Sequence, residues 1–241
     1  MTKLGSSRIS FRTSSWFFLL GVVYLLLVLG MSVEAQEAPN EANAKNLFES
    51  LKENPWANVK GFRSAKFGMD HKGVYRAIAK DFKISKSKVR KTEARDAKTS
   101  ALEVTVPKLF SIGGPARVGY IFGYKSKKLI HINVIWGQGA SKNVDLMEIV
   151  NTANLLRAHF LKKQYKEEGL MANGKLSENS TLVFRGRDKN NRMIAVMMNT
   201  FTPPEGEITE ENKSKITLKL SYILNPDEPD IRTITIKEDE F

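Results

Sequence analysis

The sequence predicts an α+β domain in which an antiparallel sheet carries its helices packed on one face. Apolar residues recur at helical spacing in two segments and at alternate positions in six others. The segments follow one another as helix, three strands, helix, three strands, an order that an antiparallel sheet with helices on one side satisfies.

The domain is preceded by an address. Residues 1–15 hold Lys3, Arg8 and Arg12 and no acidic side chain, and Trp16 to Met31 is apolar apart from Gly21, Tyr24 and Gly30. A basic leader ahead of an apolar run is the pattern of a secretory signal, and Val33 with Ala35 supply the small residues of a cleavage site, with the cut after Ala35. The alternative is an uncleaved anchor, because Trp16 to Val33 is 18 residues, at the short limit of a bilayer span. In either case the basic leader stays inside and residues 36 onward cross.

Residues 36–55 read as a linker. The stretch 36–46 (QEAPNEANAKN) is small and polar, and a short amphipathic piece from Leu47 to Lys52 is stopped by Asn54-Pro55. The folded domain is expected over 56–226, with two subunits divided near 140 as an option, and 227–241 as a tail.

The first helix lies in FGMDHKGVYRAIAKDF, where Val74, Ile78 and Phe82 share a face and Asp70 is placed as its cap. A charge run follows over 80–98, with Lys80, Lys83, Lys86, Lys88, Arg90, Lys91, Arg95 and Lys98 against Asp81, Glu93 and Asp96; such runs are usually solvated faces. Leu102, Val104 and Val106 then alternate with Glu103 and Thr105 until Pro107 ends the strand. Val118, Tyr120, Phe122 and Tyr124, a polar turn at Lys125 to Lys128, and Ile130, Ile132, Val134 and Trp136 make 116–137 a hairpin. Its opposite face is uneven, with Arg117, Gly119, Ile121 and Gly123 on one strand and His131, Asn133 and Ile135 on the other.

A second helix is expected from Asn143 to Lys166, with Leu146, Ile149, Val150, Ala153, Leu156 and Phe160 on one stripe and basic residues at its negative end. Strands follow near 180–187, 192–200 and 215–224, interrupted by a surface loop over 202–213 with Pro203-Pro204. In the tail, Ile234 and Ile236 alternate with Thr233 and Thr235 as an edge strand would. Phe122, Ile132 and Val134 recur as Phe184, Ile194 and Val196 at a constant offset of 62, which suggests two tandem helix-plus-three-strand units.

FRSAKFGMDHKGVYRAI (62–78) and YIFGYKSKKLIHINVIW (120–136) resemble segments of a group of uncharacterised exported bacterial proteins, over roughly residues 60–165. The opening Phe67-Gly68-Met69 with Val74 and Ile78 is also similar to small periplasmic helix-plus-sheet domains, such as the β-lactamase-inhibitor-like fold and the small lipoprotein of outer-membrane protein assembly. No cysteine follows the apolar run, so the lipoprotein's anchor has no counterpart here. The resemblance implies an envelope address and no activity.

Chemistry is bounded mostly by exclusion. With no cysteine the chain has no disulfide, thiolate ligand or cysteine nucleophile, which suits a bacterial envelope better than a eukaryotic secretory route. The formal charge is +12, and removing Lys3, Arg8 and Arg12 together with Glu34 lowers it by two, to +10. A basic chain is drawn to anionic surfaces. His71 reads as a helix-turn residue, His131 as solvent-facing strand surface and His159 as a helix-end partner of the dipole. No metallopeptidase, nucleophile-elbow, P-loop or dinucleotide motif is present, so no catalytic, cofactor or metal residue is assigned and no cofactor is called for. Aromatic and basic residues interleave over 120–128, but Tyr120, Phe122 and Tyr124 read as a core face, and nucleic acid is not an expected partner outside the inner membrane.

The candidate contacts are cationic: Lys83, Lys86, Lys88, Arg90 and Lys91 from the charge run, with Lys125, Lys127 and Lys128 from the hairpin tip. They suit an anionic lipid or cell-wall surface. The expectation is an exported, periplasmic, non-enzymatic binding or accessory module engaging an envelope protein or surface. Its competitors are an enzyme acting on envelope material and an inner-membrane-tethered subunit of an envelope complex. Amino-terminal sequencing of the exported protein is expected to begin at Gln36; a terminus at Met1 identifies the anchor instead.

Overall fold

Each central strand alternates between a wholly apolar face and a mixed one, and that difference decides where the helices go. The computed structural model describes residues 41–141, 144–201 and 215–232. The apolar run at 16–31, the cleavage site, the loop 202–213 and the alternating end of the tail lie outside the described residues.

The helices are α1 (Glu41–Leu51), α2 (His71–Phe82) and α3 (Leu146–Phe160). A two-stranded hairpin, β1 (Gly61–Phe62) and β2 (Ala65–Lys66), precedes α2. Two meanders follow: β3 (Arg90–Glu93), β4 (Ser100–Val106), β5 (Ala116–Phe122) and β6 (Leu129–Gly137), then β7 (Met171–Ser177), β8 (Ser180–Arg187), β9 (Met193–Phe201) and β10 (Lys215–Ile223). They form one eight-stranded sheet in the order β3-β4-β5-β6-β10-β9-β8-β7, antiparallel throughout. The class expected from the sequence is the class observed. Among the described residues no helix is long and apolar enough to cross a membrane.

Helices lie against the apolar face. Leu102, Val118, Tyr120, Phe122, Ile132, Val134, Trp136, Val196 and Leu218 are fully buried there. Side chains of this size contribute roughly 1.5–3 kcal/mol each when fully buried. Helix α3 packs on β6, β10, β9 and β8, with the Phe160 ring stacked on Phe184 at 5.5 Å. Helix α2 buries Val74, Ala77 and Ile78, and its first residue, His71, stacks on Phe122 at 3.8 Å.

The caps follow the sequence. Asp70 Oδ1 accepts from Gly73 N at 2.7 Å, and Asp145 accepts from the backbone N–H groups of Met147 and Glu148. Each such cap is worth about 1 kcal/mol. Helix α3 stops at Phe160 rather than reaching Lys166, because the chain beyond it is taken by a different partner. Ala57 N donates to Gln164 O at 2.9 Å and Gln164 N to Pro55 O at 3.1 Å, so Lys162, Lys163 and Lys166 lie outside the helix.

Four further expectations change. The linker is partly folded, since α1 occupies Glu41–Leu51 within it and packs against β7, with Leu51 buried and Leu47 and Phe48 against the core. The tail begins as a strap. Arg187 clamps Asp227 through two bonds of 2.8 and 2.9 Å, Asp230 accepts from the N–H groups of Lys125 and Ser126, and Arg232 N reaches Ala97 O. There is no division near 140, because β6 and β10 join both halves in one sheet over one hydrophobic cluster. The repeated unit is a helix plus four strands, with β3 and β7 added at the outer edges. Phe184 therefore sits on β8 and Ile194 and Val196 on β9, one strand short of the topological counterparts of β5 and β6. The offset of 62 reflects strand alternation rather than equivalence.

Asp188, in the β8–β9 turn, ties the amino-terminal segment to the sheet. It is 1% exposed and accepts from Val59 N at 2.9 Å, Asn190 N at 2.8 Å and Arg192 N at 3.0 Å. Asp188→Ala leaves these donors unpaired and is expected to cost about 2–4 kcal/mol in denaturant unfolding.

A polar furrow on the open sheet face

The strand register sorts the second face into rows, because directly opposed residues in an antiparallel sheet point to the same side. One row runs Glu103, Gly119, Asn133, Ser221, Ala195, Arg185 across six strands. The row on one side is Ala101, Ile121, His131, Ile223, Met193, Arg187, and on the other Thr105, Arg117, Ile135, Lys219, Met197, Leu182. Small residues thus run between longer ones. At about 4.8 Å per strand, the row of short side chains from Gly119 to Ala195 is about 14 Å long.

The centre is polar and closed in. His131, Asn133 and Ser221 are 4%, 3% and 1% exposed. Asn133 Oδ1 lies 2.9 Å from His131 Nε2 and accepts from Ser221 Oγ at 2.7 Å, so the ring nitrogen facing it carries the proton. Burial, reinforced by the charge of Lys219, pushes His131 down to about 3, and burial also lowers Lys219. The expectation of a solvent-facing His131 is therefore corrected: the ring is buried and bonded to Asn133.

Charge on this face is one-sided. Among the described strands Arg90, Arg117, Arg185, Arg187, Lys215 and Lys219 point to it, against the single carboxylate of Glu103. Glu103 is 4% exposed and engaged by Arg90 through Nε at 3.0 Å and through Nη2. Arg185 donates to Gly169 O at 2.8 Å. Lys219 has no ion-pair partner among the described residues.

The cations singled out in the sequence go elsewhere, apart from Arg90. Lys83 occupies the left-handed cap of α2 at φ 58°, Lys86 sits over the Tyr75 ring at 5.0 Å, Lys88 is exposed beside it, and Lys91 pairs with Glu93 at 3.2 Å. Lys125, Lys127 and Lys128 are exposed at the β5–β6 turn, with Lys127 over Tyr124 at 5.2 Å. The two groups meet only in part: Lys91 acts on His71 and Lys128 on Asp70 at the start of α2, while Lys83, Lys86 and Lys88 lie beyond its other end. Helix α2 starts at the β5–β6 turn and runs about 18 Å to the end where Arg63 beside Phe82 donates to Leu109 O. The hairpin tip instead borders a shallow depression with Glu228, Pro229, Asp230 and Ile231.

A nucleophile-and-base contact exists at the other face. His71 Nε2 lies 3.0 Å from Ser100 Oγ, and burial together with Lys91 lowers the imidazole. The neighbouring carboxylate, Asp70, is committed to the helix cap, and the ring is held flat on Phe122. Among the described residues no group of three or more His, Asp or Glu could hold a metal ion. Fold and site together define an α+β domain whose eight-stranded antiparallel sheet carries basic side chains on the face opposite the helices. No family model matches the chain, and neither a curated protein nor a solved structure matches it.

The furrow makes stability depend on acid. His131 titrates from 6.5 when unfolded and near 3 when folded, so its contribution is intact above 6.5 and is lost as pH falls toward 3. The unfolded chain takes up the proton first, at about 1.4 kcal/mol per pH unit. Wild type is expected to lose stability faster than His131→Gln between about pH 6 and pH 4, in parallel denaturant titrations.

Proposed function

We propose that this protein is an exported, non-enzymatic binding or accessory module of the bacterial envelope, which holds an anionic partner against the basic side chains of the sheet face opposite its helices. The observation that carries the reading is the excess of cations on that face, where Arg90 is matched by Glu103 and Arg187 by Asp227, while Lys215 and Lys219 have no ion-pair partner among the described residues. A half-desolvated cation interacts with an incoming anion more strongly than a solvated one, because less water screens it. The partner is an envelope protein or an anionic surface of lipid headgroups or wall polymer, reached after export by the amino-terminal segment. Binding needs no cofactor.

The sheet face and the hairpin tip make different predictions. Sedimentation with vesicles containing anionic lipid is expected to weaken several-fold as ionic strength rises from about 0.01 M to about 0.15 M, where the Debye length falls from about 30 to about 8 Å. Lys215→Glu combined with Arg185→Glu is expected to abolish retention, whereas Lys125→Glu with Lys127→Glu leaves most of it. Retention that ignores salt, or that follows the hairpin lysines alone, overturns the assignment of the face.

A further inference from the structure

We infer that the outer edge of β3 is a docking site for the chain's own tail, with residues 233–237 added as an antiparallel strand and Glu238, Asp239 and Glu240 set against the basic segment Lys86–Lys91. This concerns the edge of the sheet and is independent of what its basic face binds.

The argument begins with the edge. β3 is the terminal strand on its side of the sheet and pairs with β4 alone, from Arg90 opposite Glu103 to Glu93 opposite Ser100. Its other side takes no backbone bond from any described residue. An unpaired edge is a template for a further strand. At mid-strand the Thr92 hydroxyl is enclosed and has no hydrogen-bond partner. Threonines on adjoining strands bond through such hydroxyls.

The strap brings the tail to that edge. From the end of β10 it crosses the ends of the intervening strands in their order. Leu224 N donates to Ile130 O of β6 at 2.9 Å, Tyr124 N just beyond β5 donates to Asp230 O at 2.8 Å, and Arg232 N donates to Ala97 O at 3.0 Å, in the turn between β3 and β4. The next place in that progression is the outer side of β3. Since β3 runs toward this turn, a chain leaving the turn beside it runs the opposite way, as neighbours do throughout this sheet.

Length and charge fit the same placement. TITIK (233–237) alternates threonine with isoleucine, residues that favour strands. At about 3.4 Å per residue its five residues span about 17 Å, against about 14 Å for the four residues of β3. Glu238, Asp239 and Glu240 then come level with the start of β3 and with the single 3-10 turn Lys86–Lys88 before it. Segment 86–91 carries Lys86, Lys88, Arg90 and Lys91 and no carboxylate. Arg90 is engaged by Glu103 and Lys91 by Glu93, which leaves Lys86 and Lys88 without an ion-pair partner among the described residues. The reverse direction would set the acidic end beside Glu93 and Asp96 instead. Main-chain bonds hold an added strand, and side chains select it. Arg232 is already bonded at the turn, so the chain's own tail meets the edge at a far higher effective concentration than that of a second copy.

The test is amide hydrogen exchange on the intact ¹⁵N-labelled protein. The β3 N–H groups that do not bond β4 are expected to exchange about tenfold slower than in a chain stopped after Arg232, while Val118 and Val134 exchange alike in both. Glu238→Lys with Glu240→Lys is expected to remove most of that protection, and adding Lys86→Glu with Lys88→Glu to restore it. Because the chain has no cysteine, Thr92→Cys can be paired in turn with Thr233→Cys and Thr235→Cys, and one pair is expected to close a disulfide within a single molecule. Equal exchange in the intact and shortened chains overturns the docking site. So does the failure of both pairs to crosslink, or a crosslink that joins two molecules.

Discussion

The pairing of β6 with β10 is the constraint on which the rest of the molecule depends. It runs from Thr217 opposite Gly137 to Ile223 opposite His131, without interruption. Apart, each half would be a four-stranded meander with one helix and a bare inner edge, a size at which burial barely offsets chain entropy. Joined, they bury Val134, Trp136, Leu218 and Leu220 in one cluster under α3. The same register has a consequence on the far side. It sets His131 and Asn133, from the first half, beside Ser221 and Lys219, from the second, so the furrow exists only where the halves meet.

The two faces follow different energetic rules. The helix side is apolar along every central strand, and its stability comes from area removed from water. On the open side the chain encloses an imidazole, an amide and a hydroxyl that satisfy one another, and a carboxylate that is matched by one guanidinium. Such groups return little net stability compared with well-packed apolar residues of the same volume. Lys219 goes further, since its charge is partly desolvated and has no ion-pair partner among the described residues. A sheet built for stability alone would carry valine or isoleucine at these positions, and departures of this kind are where functional demands override folding.

How much of this was legible in the sequence divides along the same line. The central strands and α2 were readable because burial on one face forces a period of two or of 3.6, and 180–187 matches β8 residue for residue. The outer strands were not. In β3 the residues RKTE look like part of a charge run, and in β7 MANGKLS carries no alternation, because an edge strand is held by backbone bonds to one neighbour and buries little. Helix α3 was overextended because the stripe of apolar residues says nothing of the bond between Gln164 and the Trp56 segment, which are distant in sequence. The furrow left one trace, the uneven second face of the 116–137 hairpin. That trace showed glycine, asparagine and histidine where alternation predicts plain solvent-facing residues. It could not show Ser221 or Lys219 beside them, since β10 joins β6 only in the folded sheet.

The strap formed by residues 224–232 gives the open face a direction. It crosses the end of the sheet nearest the β5–β6 turn, where Asp227 neutralises Arg187 and Asp230 holds the turn's N–H groups. The strap thus matches Arg187 from within the chain, and it does so with residues that follow the last strand. Lys219, at mid-strand, and Lys215, at the rim, have no carboxylate partner among the described residues, with Arg117 in the same row as Lys219.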